Sequence, residues 1–165
     1  VIGNSVKQLI LENEADFLIP DEKVAHVMDI NPLNHAFLVL ANVRYSKIPV
    51  LNKQGQFVGL IGLSDIVNAM FDVTSINADK LNDYYVKDFM ETGVKTIQRP
   101  YDIEYLLHLM VDSAFVPVTN QDNYLEGIVT RREILKAVNH MAHSLESQYD
   151  VEKKELKEIS RQYFG

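Results

Sequence analysis

The sequence predicts an α+β fold, a tandem pair of repeats packed pseudo-symmetrically with N-terminal and long C-terminal helical extensions. Three observations predict it. The 165-residue chain resembles itself at a fixed offset, each copy alternates helical spacing with short strands, and neither copy is large enough to stand alone. Sliding the chain by 68 residues pairs Pro32 with Pro100, Val43 with Val111, Pro49 with Pro117, Gly59 with Gly127 and Ile66 with Ile134. In all, nine of the 39 ungapped positions from Pro32 to Met70 are identical. Two prolines and a glycine recurring in register point to shared backbone geometry. Upstream, Asp16-Phe17-Leu18 matches Asp88-Phe89-Met90 at an offset of 72, so four residues were gained or lost between. A unit of roughly 60 residues buries only about 60% of its unfolded surface and is marginal alone. Residues 16–140 therefore read as one module, with repeat 1 over 16–72, a polar connector over 73–85 and repeat 2 over 86–140.

The elements follow in order. In residues 1–15, Ser5 to Gln8 has capping-box spacing and Val6, Leu9 and Ile10 form an apolar stripe, which predicts a helix. In each repeat a proline (Pro32, Pro100) precedes a polar helix start (Asn34, Asp102). Apolar residues at helical spacing follow: Phe37, Leu40 and Ala41, then Ile103, Leu106, Leu107 and Met110. Next comes a strand, Ile48 to Leu51 or Val116 to Val118, whose proline suits an edge or a strand start better than a central strand. The turns from Asn52 and Asn120 lead to second strands, Phe57 to Ile61 and Leu125 to Val129, and helices begin near Asp65 and Glu133. Beyond residue 140, Met141, Leu145, Tyr149, Leu156, Ile159 and Tyr163 fall mostly three, four or seven apart. They predict a long helix with one apolar face, packed either on its own module or on a second chain.

Composition narrows the function classes. Hydrophobic residues make up 47% and charged residues 24%, as in ordinary globular proteins, and no apolar run reaches the ~20 residues of a membrane helix. The absence of cysteine removes disulfides, thiolate metal sites and a cysteine nucleophile, and it fits a cytoplasmic protein. A net charge of −7 argues against a broad nucleic-acid-binding face. No signal peptide is visible, although a start at Val1 leaves a processed leader open. Nucleotide-triphosphate loops, dinucleotide fingerprints, serine-hydrolase elbows and zinc-protease motifs are all missing. His140 and His143 lie three apart but lack a third ligand, so neither a metal nor a catalytic role is expected.

One short segment departs from the acidic background. Gly127 to Lys136 holds three basic side chains against one acidic. Thr130-Arg131-Arg132-Glu133 has capping-box spacing, which accounts for Thr130 and Glu133 by local structure alone. It does not account for Arg131 and Arg132, cations in a first turn whose helix dipole opposes them by a few tenths of a kcal/mol to ~1. An anion at the helix start would reverse that penalty.

The order helix, Ile-Pro-Val strand, turn, then Gly59-Leu60-Ile61-Gly62-Leu63-Ser64-Asp65 or Gly127-Ile128-Val129-Thr130-Arg131-Arg132-Glu133, resembles the CBS domain in two copies over about three quarters of the chain. Asp21 to Val27, Tyr45 to Val50 and Gly127 to Arg132 further resemble the stand-alone CBS-pair proteins of Gram-positive bacteria that bind cyclic di-AMP. This resemblance implies no catalysis and a homodimer of CBS pairs, parallel or antiparallel, shaped as a flat disk with ligands in clefts between repeats. It also implies a sensor that contacts a protein partner of the (p)ppGpp synthetase/hydrolase type. Two positions depart from the common motif, Gly62 in place of Thr or Ser and Glu133 in place of Asp. The clefts are therefore expected to be unequal, with phosphates at the one bearing Thr130.

For such a ligand, Lys23 adds a point charge to the arginines, or is simply solvated. Small Ala25 lets backbone approach a base edge, or is an ordinary strand alanine. Tyr45, Ile48, Phe115 and Val116 offer apolar faces to adenine, or pack the core. The sequence thus points to a cyclic di-AMP sensor with no cofactor. AMP, ADP or ATP is the alternative ligand, and a purely structural dimerisation module is the alternative class.

Overall fold

A computed structural model describes residues 1–71 and 74–153. Helix α1 (Asn4–Leu11) leads into β1 (Leu18–Pro20) and β2 (Val27–Met28). The first repeat continues as α2 (Leu33–Asn42), β3 (Lys47–Leu51), β4 (Phe57–Gly62) and α3 (Leu63–Met70). After the short α4 (Val86–Phe89), the second repeat runs α5 (Ile103–Asp112), β5 (Phe115–Thr119), β6 (Leu125–Thr130) and α6 (Arg131–Gln148).

Two three-stranded sheets result, ordered β2-β3-β4 and β1-β6-β5. The second contains a strand from the start of the chain: β1 runs antiparallel to β6, Ile19 opposite Ile128. Its counterpart is Glu91, which bridges antiparallel to Leu60 on β4. Each repeat thus lends its leading segment to the other repeat's sheet. The recurring glycine makes this crossing possible. A Cβ at Gly127 would run into the carbonyl oxygen of Ile19, and one at Gly59 into that of Glu91.

Three apolar clusters hold the layers together. One lies within the first repeat (Val27, Leu40, Ile48, Ile61, Ile66) and one within the second (Phe17, Ile97, Leu106, Val116, Ile134). The third joins the two sheets through Val24, Phe57, Leu60, Phe115, Leu125 and Ile128. Ile10 of α1 and Val138 and Met141 of α6 complete the second cluster, and α1 packs along α6. The helical extension therefore packs on its own module through Val138 and Met141, and the Tyr149 hydroxyl still reaches Gln8 of α1 at 3.5 Å. Leu156, Ile159 and Tyr163 lie outside the described residues.

Several expectations change. Helix α1 starts at Asn4 after an extended Gly3 without a side-chain cap, so Ser5 sits inside the helix and its capping box does not form. Asn34 does not cap α2 either; its amide donates to Asn82 Oδ1 at 2.7 Å. Asp102, by contrast, accepts from the N–H groups of Glu104 and Tyr105 at the start of α5. Pro49 lies in a central strand. It is tolerated because β2 pairs with β3 only at Val50 and Leu51, leaving β3 unflanked on that side at the proline. The polar connector is anchored by Leu81, which is buried in the first-repeat cluster.

Candidate functional site

A cavity of about 630 Å³ opens between the repeats. From the second repeat it is lined by Ser113 to Pro117 at the start of β5, by His108, Leu109 and Asp112 of α5, and by Arg131 at the start of α6. The first repeat contributes Ser46, Lys47 and Leu60, and the crossing segment adds Glu91 and Gly93 to Lys95.

The second repeat builds its side of the cavity where α5 ends and α6 begins. A helix C-terminus leaves carbonyl groups without intrahelical donors, and its dipole favours a cation. Arg131 supplies both needs. Its Nε donates to the Met110 carbonyl at 2.9 Å, and Nη2 donates to those of Ser113 at 3.0 Å and Val111 at 3.2 Å. Its own N–H donates to the carbonyl of Ala114 at 2.8 Å. The negative end of α5 thus supplies a local compensation for the Arg131 charge, beside the anion that the start of α6 calls for.

The remaining residues of this turn divide their roles. Thr130 is buried, and its hydroxyl accepts the N–H of Glu133 at 3.3 Å. The reciprocal half of the box is absent, since the Glu133 carboxylate takes Lys136 Nζ at 2.9 Å. Arg132 is exposed and has no acidic partner among the described residues, so its guanidinium is available to an incoming anion.

Of the nine candidate ligand residues, Phe115, Val116 and Arg131 line the cavity, and Thr130 adjoins it through Arg131. Tyr45 meets Phe115 edge to face, with ring centroids 6.0 Å apart, in the cluster between the sheets. Ile48 is only 1% exposed within the first-repeat core, and Ala25 packs against the same cluster. Lys23 is exposed on the turn Asp21–Lys23, which packs against β6. Of the nine, Lys23, Ala25, Tyr45, Ile48, Thr130 and Arg132 do not line the cavity.

Lys47, Glu91, Lys95, His108 and Asp112 were not singled out in the sequence. A signal existed for Lys95, which the offset of 72 relates to Lys23. For Lys47 the offset of 68 leads to Phe115, also a candidate, but it marks the position and not the charge. With Lys47 and Lys95 against Glu91 and Asp112, and Arg131 turned to the α5 carbonyls, beside Leu60, Val94, Phe115, Val116 and Pro117, the cavity offers donors for an anion and apolar surface for a flat ring. Among the described residues no group of His, Asp and Glu gathers to hold a metal.

Two intertwined α+β repeats enclosing such a cavity define a paired-repeat ligand-binding module. The CBS domain family model matches residues 16–72 and again 86–140, so the chain belongs to the CBS-domain family and carries two copies. It is 36% identical over 138 residues to cyclic di-AMP receptor B of Bacillus subtilis, spanning 84% of this chain and 94% of that protein. It resembles the crystal structure of CbpB from Streptococcus agalactiae with a TM-score of 0.80 at 29% identity, covering 93% of this chain and 96% of that one. The Listeria monocytogenes CbpB protein in complex with c-di-AMP matches with a TM-score of 0.73 at 43% identity, over 79% and 98% of the two chains. No helix among the described residues is long and apolar enough to cross a membrane.

Proposed function

We propose that this chain is a non-catalytic, cytoplasmic adenine-nucleotide sensor that binds cyclic di-AMP in the cleft between its repeats and controls a protein partner, acting as a homodimer. The observation that carries the reading is likeness over nearly the full length of a cyclic di-AMP receptor. The site chemistry agrees with it. In this reading phosphates are received at the start of α6 by Arg132, which lies outside the cavity lining and has no acidic partner among the described residues, and the purine rests on Phe115 and Val116 at the cavity wall. AMP, ADP or ATP would use the same donors singly and would show itself as two mononucleotides per chain. The partner expected by resemblance is a (p)ppGpp synthetase/hydrolase, contacted by the ligand-free protein.

Calorimetric titration with cyclic di-AMP tests the binding step. Arg132→Ala removes a charge-assisted contact of ~1.5–3 kcal/mol and is expected to weaken affinity roughly ten- to a hundred-fold. Equal affinities of wild type and variant would overturn the placement of the phosphates. Failure of every adenine nucleotide to bind or to raise the melting temperature would leave a structural dimerisation module.

A further inference from the structure

The first repeat's departure at Gly62 has a physical counterpart in Lys47. The two residues pair across β3 and β4, and a Cβ at Gly62 would lie 2.9 Å from Lys47 Cγ and 3.0 Å from the Ser46 carbonyl oxygen. Because Cγ is near the base of the side chain, a threonine at 62 would re-aim the whole lysine. At the same register position in the second repeat, Thr130 stands opposite Phe115. Glycine in the first repeat thus clears the path along which Lys47 reaches into the cavity.

Its partner there is placed just as firmly. Glu91 is held to β4 by two backbone hydrogen bonds with Leu60, at 2.8 and 3.0 Å, and its close approach requires Gly59. The Glu91 carboxylate and Lys47 Nζ form an ion pair at the cavity, with the two side chains 47% and 40% exposed. An ion pair this accessible to water is weak. A phosphate group that also meets a second cation displaces the carboxylate at little cost.

Building on the proposed nucleotide reading, we infer that Lys47, delivered across the repeat boundary by Gly62, is an anion-binding residue of the cavity, and that Glu91 holds it in the empty state and competes with the ligand's phosphate. The site is then cationic only to the extent that its ligand replaces Glu91. That arrangement discriminates against weakly charged competitors.

The test compares wild type with Lys47→Met, Glu91→Gln and Gly62→Thr, using cyclic di-AMP in calorimetry and inorganic pyrophosphate in amide NMR titrations. Lys47→Met is expected to weaken cyclic di-AMP binding about ten-fold or more. Glu91→Gln is expected to tighten it about two- to five-fold, by removing an exposed competing pair. Gly62→Thr should weaken binding without removing any charge, and melting temperatures identify any variant that is merely unstable. If wild type binds cyclic di-AMP and neither Lys47→Met nor Glu91→Gln changes the affinity, the inference falls while the nucleotide reading stands. If cyclic di-AMP does not bind, but pyrophosphate shifts the Gly62 and Glu91 amides in wild type and not in Lys47→Met, the nucleotide reading falls and the inference stands. Silence from both probes overturns both.

Discussion

The molecule turns the same strand-to-helix corner twice, and the two corners are built from different side chains. At the first, the Asp65 carboxylate accepts the N–H of Gly62 at 2.8 Å, and Leu63 begins α3 with its side chain 39% exposed. At the second, Thr130 accepts the N–H of Glu133 and Arg131 grips the carbonyls that end α5. Each corner therefore makes a different half of one capping arrangement. The clefts beside them diverge in the same way. Ser113 lines the cavity where the 68-residue offset places Tyr45 in the first repeat, and Lys47 stands where the offset places Phe115. Tyr45 meets Phe115 between the sheets, and Phe115 also lines the cavity. The shared glycines and prolines keep the two backbones alike, while the side chains at the two corners differ.

The largest expected effect tests whether Ile48 belongs to the core or to a site. Ile48→Ala is expected to cost about 2–5 kcal/mol of stability in urea unfolding, the range for truncating a fully buried isoleucine. Nucleotide affinity should not change. A loss of affinity at unchanged stability would return Ile48 to the ligand site and make the clefts more alike than they appear here.

A smaller effect separates the two crossing glycines. Gly59→Ala and Gly127→Ala each force a methyl group against a carbonyl oxygen, an overpacking expected to cost about 1–3 kcal/mol. Gly127 should be the worse site. Its φ of 154° is one that alanine rarely adopts, and its added Cβ would also lie 2.9 Å from Leu18 Cδ1. Equal losses of melting temperature would mean that the two crossings are energetically equivalent.

Much of this architecture is legible in the sequence because it is written twice. Pro49 and Pro117, Gly59 and Gly127, and the apolar spacing of α5 place strands and helices within a residue or two. The exchange of leading segments is not legible. β1 is three residues long and Glu91 makes a single bridge, too little for any periodicity, and each crosses where Gly127 or Gly59 leaves room for its backbone. Helix starts fail for a related reason. Ser5 has the right spacing for a cap, but α1 begins one residue earlier, so propensity loses to the docking of Leu9 and Ile10. At the cavity, Arg131 carries the mark of the Gly127–Arg132 motif and Phe115 that of its proline strand, whereas nothing marks Lys47, because only the bare Gly62 opposite it gives its side chain room.

Arg131 and its counterpart Leu63 give the finest test of the divergence. Both follow the corner, and both donate their N–H across it, to Ala114 at 2.8 Å and to Ser46 at 3.3 Å. Their side chains do unlike things. Leu63→Ala removes a partly exposed apolar group and should change stability by less than ~1 kcal/mol. Arg131→Ala strips three carbonyls of their donor at the end of α5, and solvent access to that site reduces the loss to about 1–2 kcal/mol. Lysine should not restore it, because a point charge cannot match the guanidinium fork that reaches Met110, Val111 and Ser113 together. Hydrogen exchange at the last turn of α5 reads the effect directly, and it should rise in Arg131→Ala and Arg131→Lys but not in Arg132→Ala. If Arg131→Ala instead leaves α5 protected and alters only nucleotide affinity, Arg131 pairs with ligand as Arg132 does, and the division of labour within the α6 turn is wrong.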